Sequence, residues 1–176
     1  MGLGPGLACN IRLNTVLDEK QRAQFQNTET IRRVLNSAKR IAVVGLSSER
    51  TKASNMVASY LMDEGYTVIP VNPRASEILG QKSYPDLASV PVPVDVVDIF
   101  RPAAEVSAIV EDAVSIGAKA VWMQLGIIDL PSAEKAARAG LDVIVDRCIK
   151  MEHARHSGAL HFAGMNTELI SARRQG

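Results

Sequence analysis

The run VVGLSSERTKAS, residues 43–54, leads an apolar stretch into one glycine, two serines and mixed charge. Those are the residue types of a phosphate-binding turn. A glycine at position 45 lets backbone approach a ligand, and N–H groups at a following helix start, with the Ser47 or Ser48 hydroxyl, can donate to phosphate oxygens. Arg50 and Lys52 add positive charge. A tight turn whose serines merely cap a helix uses the same residues, and the turn alone leaves the two readings even. It is not a P-loop, because no second glycine directly precedes Lys52, and it is not GxGxxG.

A second group, PVNPR (residues 70–74), stands at the end of the second expected strand, where NAD-binding domains commonly place an acid to hold ribose hydroxyls. Here Asn72 and Arg74 replace it. An arginine beside a ribose suits a phosphorylated one, either the 2′-phosphate of NADP or the 3′-phosphate of coenzyme A; a solvated surface arginine is the alternative. Cys148, Glu152, His153, His156 and His161 are the one dense group of reactive types, but their spacing matches no metal motif or Cys–His pair. They read as structural or solvent-facing. Asp95, Asp98 and Asp146 edge expected strands and read as loop caps or as partners of Arg101 or Arg147. Ser47 lacks the GxSxG elbow of a serine nucleophile.

These residues need a scaffold, and the sequence predicts one. RIAVVG, YTVIPV, VDVVDIF, AKAVWMQL and LDVIVDR are five short runs rich in β-branched residues. Being apolar almost throughout, they predict parallel strands buried on both faces. The intervals predict helices: TETIRRVLNSAKR with Thr28 as its cap, SNMVASYLMDEG ending at Gly65, AAEVSAIVEDAVSIG ending at Gly117, and PSAEKAARAG running from Pro131 to Gly140. Between Asn72 and Pro93, four prolines leave room only for short helical turns. The fold class is α/β, a Rossmann-like, doubly wound, mostly parallel five-stranded sheet with helices on both faces. We expect a flexible lead at 1–27, one domain at 28–156, and a tail at 157–176 that packs on the domain or on a second subunit.

Composition narrows the partners. Twenty Lys and Arg against nineteen Asp and Glu leave a net charge of +1 and no basic stripe. Three Phe, three Tyr and one Trp are too few for base-stacking platforms, so nucleic acid is not an expected partner. Cys9 and Cys148 form no CxxC pattern, and the start MGLGPGLACN has no basic region followed by a long apolar run. A cytoplasmic protein without a membrane segment is expected.

In this order, IAVVGLSSERTKASNMVASYLMDEGYTVIPVNPR, VDVVDIFRP, AVWMQLGI and VIVDRCIKMEHAR resemble the small stand-alone CoA-binding proteins. Their fold resembles the CoA-binding domain of succinyl-CoA synthetase α. The resemblance covers about residues 28–156 and implies a ligand, coenzyme A or an acyl-CoA. It implies that Gly45, Ser47 and Ser48 hold the diphosphate with help from Lys52, and that Asn72, Pro73 and Arg74 border the adenosine and its 3′-phosphate. Phe100 and Arg101 would wall the nucleotide pocket, and Gln124, Leu125 and Gly126 would lie near the pantetheine arm. For Trp122, inside a strand, core packing is the expectation.

The synthetase relies on a phosphorylated histidine in a further domain, which this chain is too short to contain, so ligase chemistry is not expected. Three readings remain: a module that binds CoA without turnover, an NADP-dependent oxidoreductase, and an interaction protein that has lost its ligand. A homodimer or another protein partner stays open. On sequence grounds, Gly45→Val is expected to block the phosphate while sparing the fold.

Overall fold

Five of the apolar runs form strands, and a short hairpin adds two more. A computed structural model of the chain describes residues 17–156. Its strands are β1 (Arg40–Val44), β2 (Thr67–Val71), the hairpin strands β3 (Glu77–Ile78) and β4 (Gln81–Lys82), β5 (Val96–Ile99), β6 (Ala120–Met123) and β7 (Asp142–Ile144). The main sheet runs β2-β1-β5-β6-β7 with every pair parallel, and the register sets Val44 level with Val71 and Ile99. Strand order therefore reverses between β1 and β5. That reversal opens a crevice beyond the carboxyl ends of the two strands.

The helices are α1 (Glu19–Phe25), α2 (Thr28–Ser37), α3 (Ala53–Asp63), α4 (Ala103–Ser115), α5 (Leu130–Arg138) and α6 (Ile149–His156). Because side chains alternate along a strand, each strand feeds two cores. Ala42, Val97, Ile99, Val121 and Val143 meet Val106 and Val110 of α4 and Ala133 and Ala136 of α5. Ile41, Val43, Val96, Trp122 and Ile144 meet Ile31 and Leu35 of α2 and Val57 and Leu61 of α3. The fold is the expected doubly wound α/β sheet. Helices α3, α4 and α5 stop just before Gly65, Gly117 and Gly140, each at positive φ. Trp122 is fully buried and its indole N–H donates to the Arg147 carbonyl at 2.7 Å, so core packing holds there. No helix of the described residues is long and apolar enough to cross a membrane.

Three local expectations need correction. Structure begins before Thr28: Asp18 and Gln21 form a capping box for α1, and Leu17 and Phe25 are buried in the core, so part of the expected flexible lead is folded. Asn27 rather than Thr28 caps α2, its side-chain oxygen accepting from the N–H groups of Glu29 and Thr30. The proline-rich interval forms the β3–β4 hairpin as well as a short turn in which the Val90 N–H donates to the Leu87 carbonyl at 3.1 Å. Leu79 and Gly80 both take positive φ at the hairpin's tip, the conformation a two-residue hairpin turn requires. The expected tail at 157–176, with His161, and residues 1–16, with Cys9, lie outside the described residues.

Candidate functional site

At the crevice lies a cleft of about 570 Å³. Its floor is Val44, Gly45 and Val71, one side is the loop after β2, and the other is α4 from Glu105 to Asp112. Gly45 sits at φ +86° with its N–H donating to the Val71 carbonyl at 2.9 Å. A Cβ there would lie 2.9 Å from the Phe100 carbonyl oxygen and 2.7 Å from Cδ of Arg101. Only glycine lets the chains pass this closely.

After Gly45 the turn is pinned from behind by α3. The Ser47 N–H donates to Oγ of Ser54 at 3.0 Å, and Nδ2 of Asn55 donates to the Ser47 carbonyl at 2.8 Å. Ser54 and Asn55 are both buried. They follow the turn motif directly, yet as small polar residues at a helix start they give no signal of this role in sequence. The Ser47 hydroxyl oxygen accepts from the Glu49 N–H at 3.1 Å, which leaves its own hydrogen free to donate. Lys52 precedes α3 without a side-chain cap, so the helix presents open N–H groups and the positive end of its dipole at the cleft. The Lys52 ammonium is exposed, with Glu49 at 3.9 Å as its ion-pair partner.

On the far side, Asn72 works as a fastener. Its Nδ2 donates to the Leu46 carbonyl at 2.9 Å and its Oδ1 accepts from the Arg74 N–H at 2.8 Å. One side chain therefore ties the turn after β1 to the loop after β2 and folds Pro73 and Arg74 against the cleft. The Arg74 guanidinium is exposed on the cleft wall, without a hydrogen bond or ion pair among the described residues. Arg101 also lines the cleft, held by Glu105 at 2.8 and 2.7 Å in a two-pronged ion pair. Asp86, Glu105 and Asp112 line it too, residues to which nothing in the sequence draws attention. Asp86 sits below the usual carboxylate range because Ser89 donates to it from both hydroxyl and backbone.

The cleft thus brings together Gly45, Ser47, Lys52, Asn72, Pro73, Arg74 and Arg101. The other named site residues, the exposed Leu125 among them, stand apart from its wall. Ser48 is exposed in the turn. Phe100 packs its ring on the opposite face, against the core beneath α2 and α3. Gln124 is buried and donates to Asp98 at 2.7 Å, and the Gly126 N–H donates to Asp146 at 2.7 Å. None of the three aspartates takes Arg101 or Arg147 as its ion partner. Asp95 accepts from Lys119 and from the N–H groups of Lys39 and Arg40; burial alone would raise its pKa, but these donors hold it at about 2. Asp98 is fully buried in β5, and burial pushes its carboxyl up to about 7 despite the Gln124 hydrogen bond.

The cysteine and histidines at the end of the domain have structural partners. His153 shares a 2.9 Å hydrogen bond with the Tyr60 hydroxyl, and His156 lies 3.4 Å from Glu152. Burial lowers both imidazole pKa values and raises that of the Cys148 thiol. No group of three or more metal-ligating side chains occurs among the described residues.

Known proteins are similar to this chain in sequence and fold. The chain is 37% identical over 124 residues to the uncharacterized protein YneT of Bacillus subtilis, covering 70% of this chain and 92% of that one. A solved structure of a hypothetical protein from Pyrococcus horikoshii OT3 superposes with a TM-score of 0.71 at 40% identity, over 73% of this chain and 90% of that one. The ADP-forming acetate–CoA ligase I of Archaeoglobus fulgidus is 30% identical over 121 residues, which is 63% of this chain but 18% of the ligase. The profile described as "CoA binding domain" matches residues 39–154, a span that begins just before β1 and contains every residue of the cleft. The chain belongs to the CoA binding domain family.

Proposed function

We propose that this chain binds coenzyme A or an acyl-CoA in the cleft between β1 and β5, and does so without turnover of its own. One observation carries the reading: the close-approach glycine and open helix start on one side of the cleft face an unpaired arginine on the other. That arrangement fits a ligand with a diphosphate and a second, separate phosphate on its ribose. The diphosphate would lie over Gly45 against the start of α3, with Ser47 and Lys52 donating. Arg74 would take the 3′-phosphate. Among the described residues neither histidine nor cysteine lines the cleft, so the described wall offers no imidazole base or thiol nucleophile. Because the match covers so small a part of the ligase, ligase activity is not carried over.

Calorimetric titration with CoA, dephospho-CoA and NADP tests this. CoA should bind, dephospho-CoA should bind more weakly, and Arg74→Ala should cost CoA about 1.5–3 kcal/mol while leaving dephospho-CoA nearly unaffected. A preference for NADP would transfer the reading to an oxidoreductase. Silence from all three ligands would leave an interaction protein that keeps the fold without the nucleotide.

A further inference from the structure

The turn after β1 is partly covered. Where a Cβ on Gly45 would stand, the Arg101 stem already lies, with Cδ at 2.7 Å and Cγ at 3.3 Å from that point. Its head is gripped by Glu105, Nε to Oε2 at 2.8 Å and Nη2 to Oε1 at 2.7 Å. Glu105 is anchored in turn, because it sits in the first turn of α4, whose cap Pro102 supplies no side-chain hydrogen bond. A carboxylate there is favoured by the helix dipole whether or not Arg101 is present. Both residues are partly exposed, 43% for Arg101 and 46% for Glu105, so the pair can exchange partners.

We propose that Glu105 determines what the cleft admits, by latching Arg101 across the phosphate turn. This rests on the reading that a diphosphate ligand binds over Gly45. An incoming ligand meets the methylenes of Arg101 where its phosphates must lie, and the Glu105 carboxylate beside them. To enter, it must draw the guanidinium off Glu105. A diphosphate can, because it offers more negative charge and more acceptor oxygens than one carboxylate. A neutral or singly charged ligand draws it off less readily. Once the head swings to the phosphates, the stem leaves Gly45 and the turn is open. The same arginine thus narrows the approach to the turn and then grips the ligand, and Glu105 is a positioning residue that acts through it.

The test is a four-protein cycle: wild type, Glu105→Gln, Arg101→Ala and the double variant, each titrated with CoA. Glutamine keeps the size and the hydrogen-bonding shape but surrenders the charge that holds Arg101. Glu105→Gln should bind CoA about three- to tenfold tighter than wild type, a gain that damage to the fold would not give. In the Arg101→Ala background the same change should do nothing, since no latch is left to release. An equal gain in both backgrounds would mean simple repulsion between Glu105 and the ligand, and would overturn the latch while leaving the CoA reading intact. Unchanged or weaker binding by Glu105→Gln, with wild type binding normally, would overturn it likewise. Failure of all four proteins to bind would overturn both.

Discussion

Gly45→Val should cost the domain about 2–6 kcal/mol, combining strain from a side chain at positive φ with overpacking. The residue sits at φ +86° and its added Cβ would be 2.9 Å from the Phe100 carbonyl oxygen. Arg101 can move its stem aside, but that oxygen cannot retreat. The Phe100 N–H donates to the Val44 carbonyl at 2.9 Å, and the Gly45 N–H donates to Val71, so the turn is stitched to the strands on both sides. A loss of this size is a large share of the stability of an ordinary domain. Denaturant unfolding of Gly45→Val beside wild type measures it. A loss below about 1 kcal/mol would show that the turn can rearrange around a side chain. The expectation that valine would block the ligand and spare the fold is therefore revised: Gly45 serves the crossing of the strands first, and Arg74 is the cleaner position at which to interrogate binding.

The second large effect belongs to Asp98. Its Oδ1 accepts from Gln124, while its buried Oδ2 has no partner among the described residues. In the unfolded chain the carboxyl ionises near 3.8; in the fold, burial raises that to about 7. Between those values the folded state holds a proton that the unfolded state has lost. The contribution to stability is therefore full below pH 3.8 and is lost as pH rises through 7. The whole shift corresponds to about 4 kcal/mol. An asparagine at this position would be neutral throughout, so Asp98→Asn should be markedly less sensitive to the change from about pH 5 to about pH 8.5, whatever fixed cost its buried amide adds. Urea titrations of both proteins at the two pH values give the comparison. His153 and His156, whose pKa values burial lowers, act in the opposite direction in this range, and both are present in the two proteins. Equal pH dependence would show that Asp98 is ionised in the fold or finds a partner for Oδ2.

What could be read in the sequence is what is set by local pattern. Five β-branched runs announced five buried parallel strands, and the glycines after the helices announced their ends, because both signals depend on near neighbours alone. Gly45 and Arg74 stood out because the first strand–helix turn and the end of the second strand have defined roles in such folds. What could not be read depends on chain segments meeting across the sheet. Gln124 looked like a ligand contact, yet it points inward to Asp98, a partner supplied by the neighbouring strand. Asn72, read as bordering the nucleotide, also clasps Leu46, twenty-six residues away in the chain. Arg101 and Glu105 are spaced as a helical ion pair, but the pairing emerges only once Pro102 is known to begin α4 between them. The hairpin hid because Leu79 adopts a backbone conformation that its residue type disfavours.

The helices before β1 have a further consequence. β7 is the last strand of the sheet, and just beyond it Val145 is bonded on both polar groups: its N–H donates to the Phe25 carbonyl and its carbonyl accepts from Nε2 of Gln26, each at 3.1 Å. With Phe25 of α1 in one core and Ile31 of α2 in the other, the two helices straddle that border of the sheet. They cover one end of it. A domain cut to residues 39–154, the span shared with its family, would keep the whole cleft and bare an adhesive margin, inviting strand-to-strand association between copies.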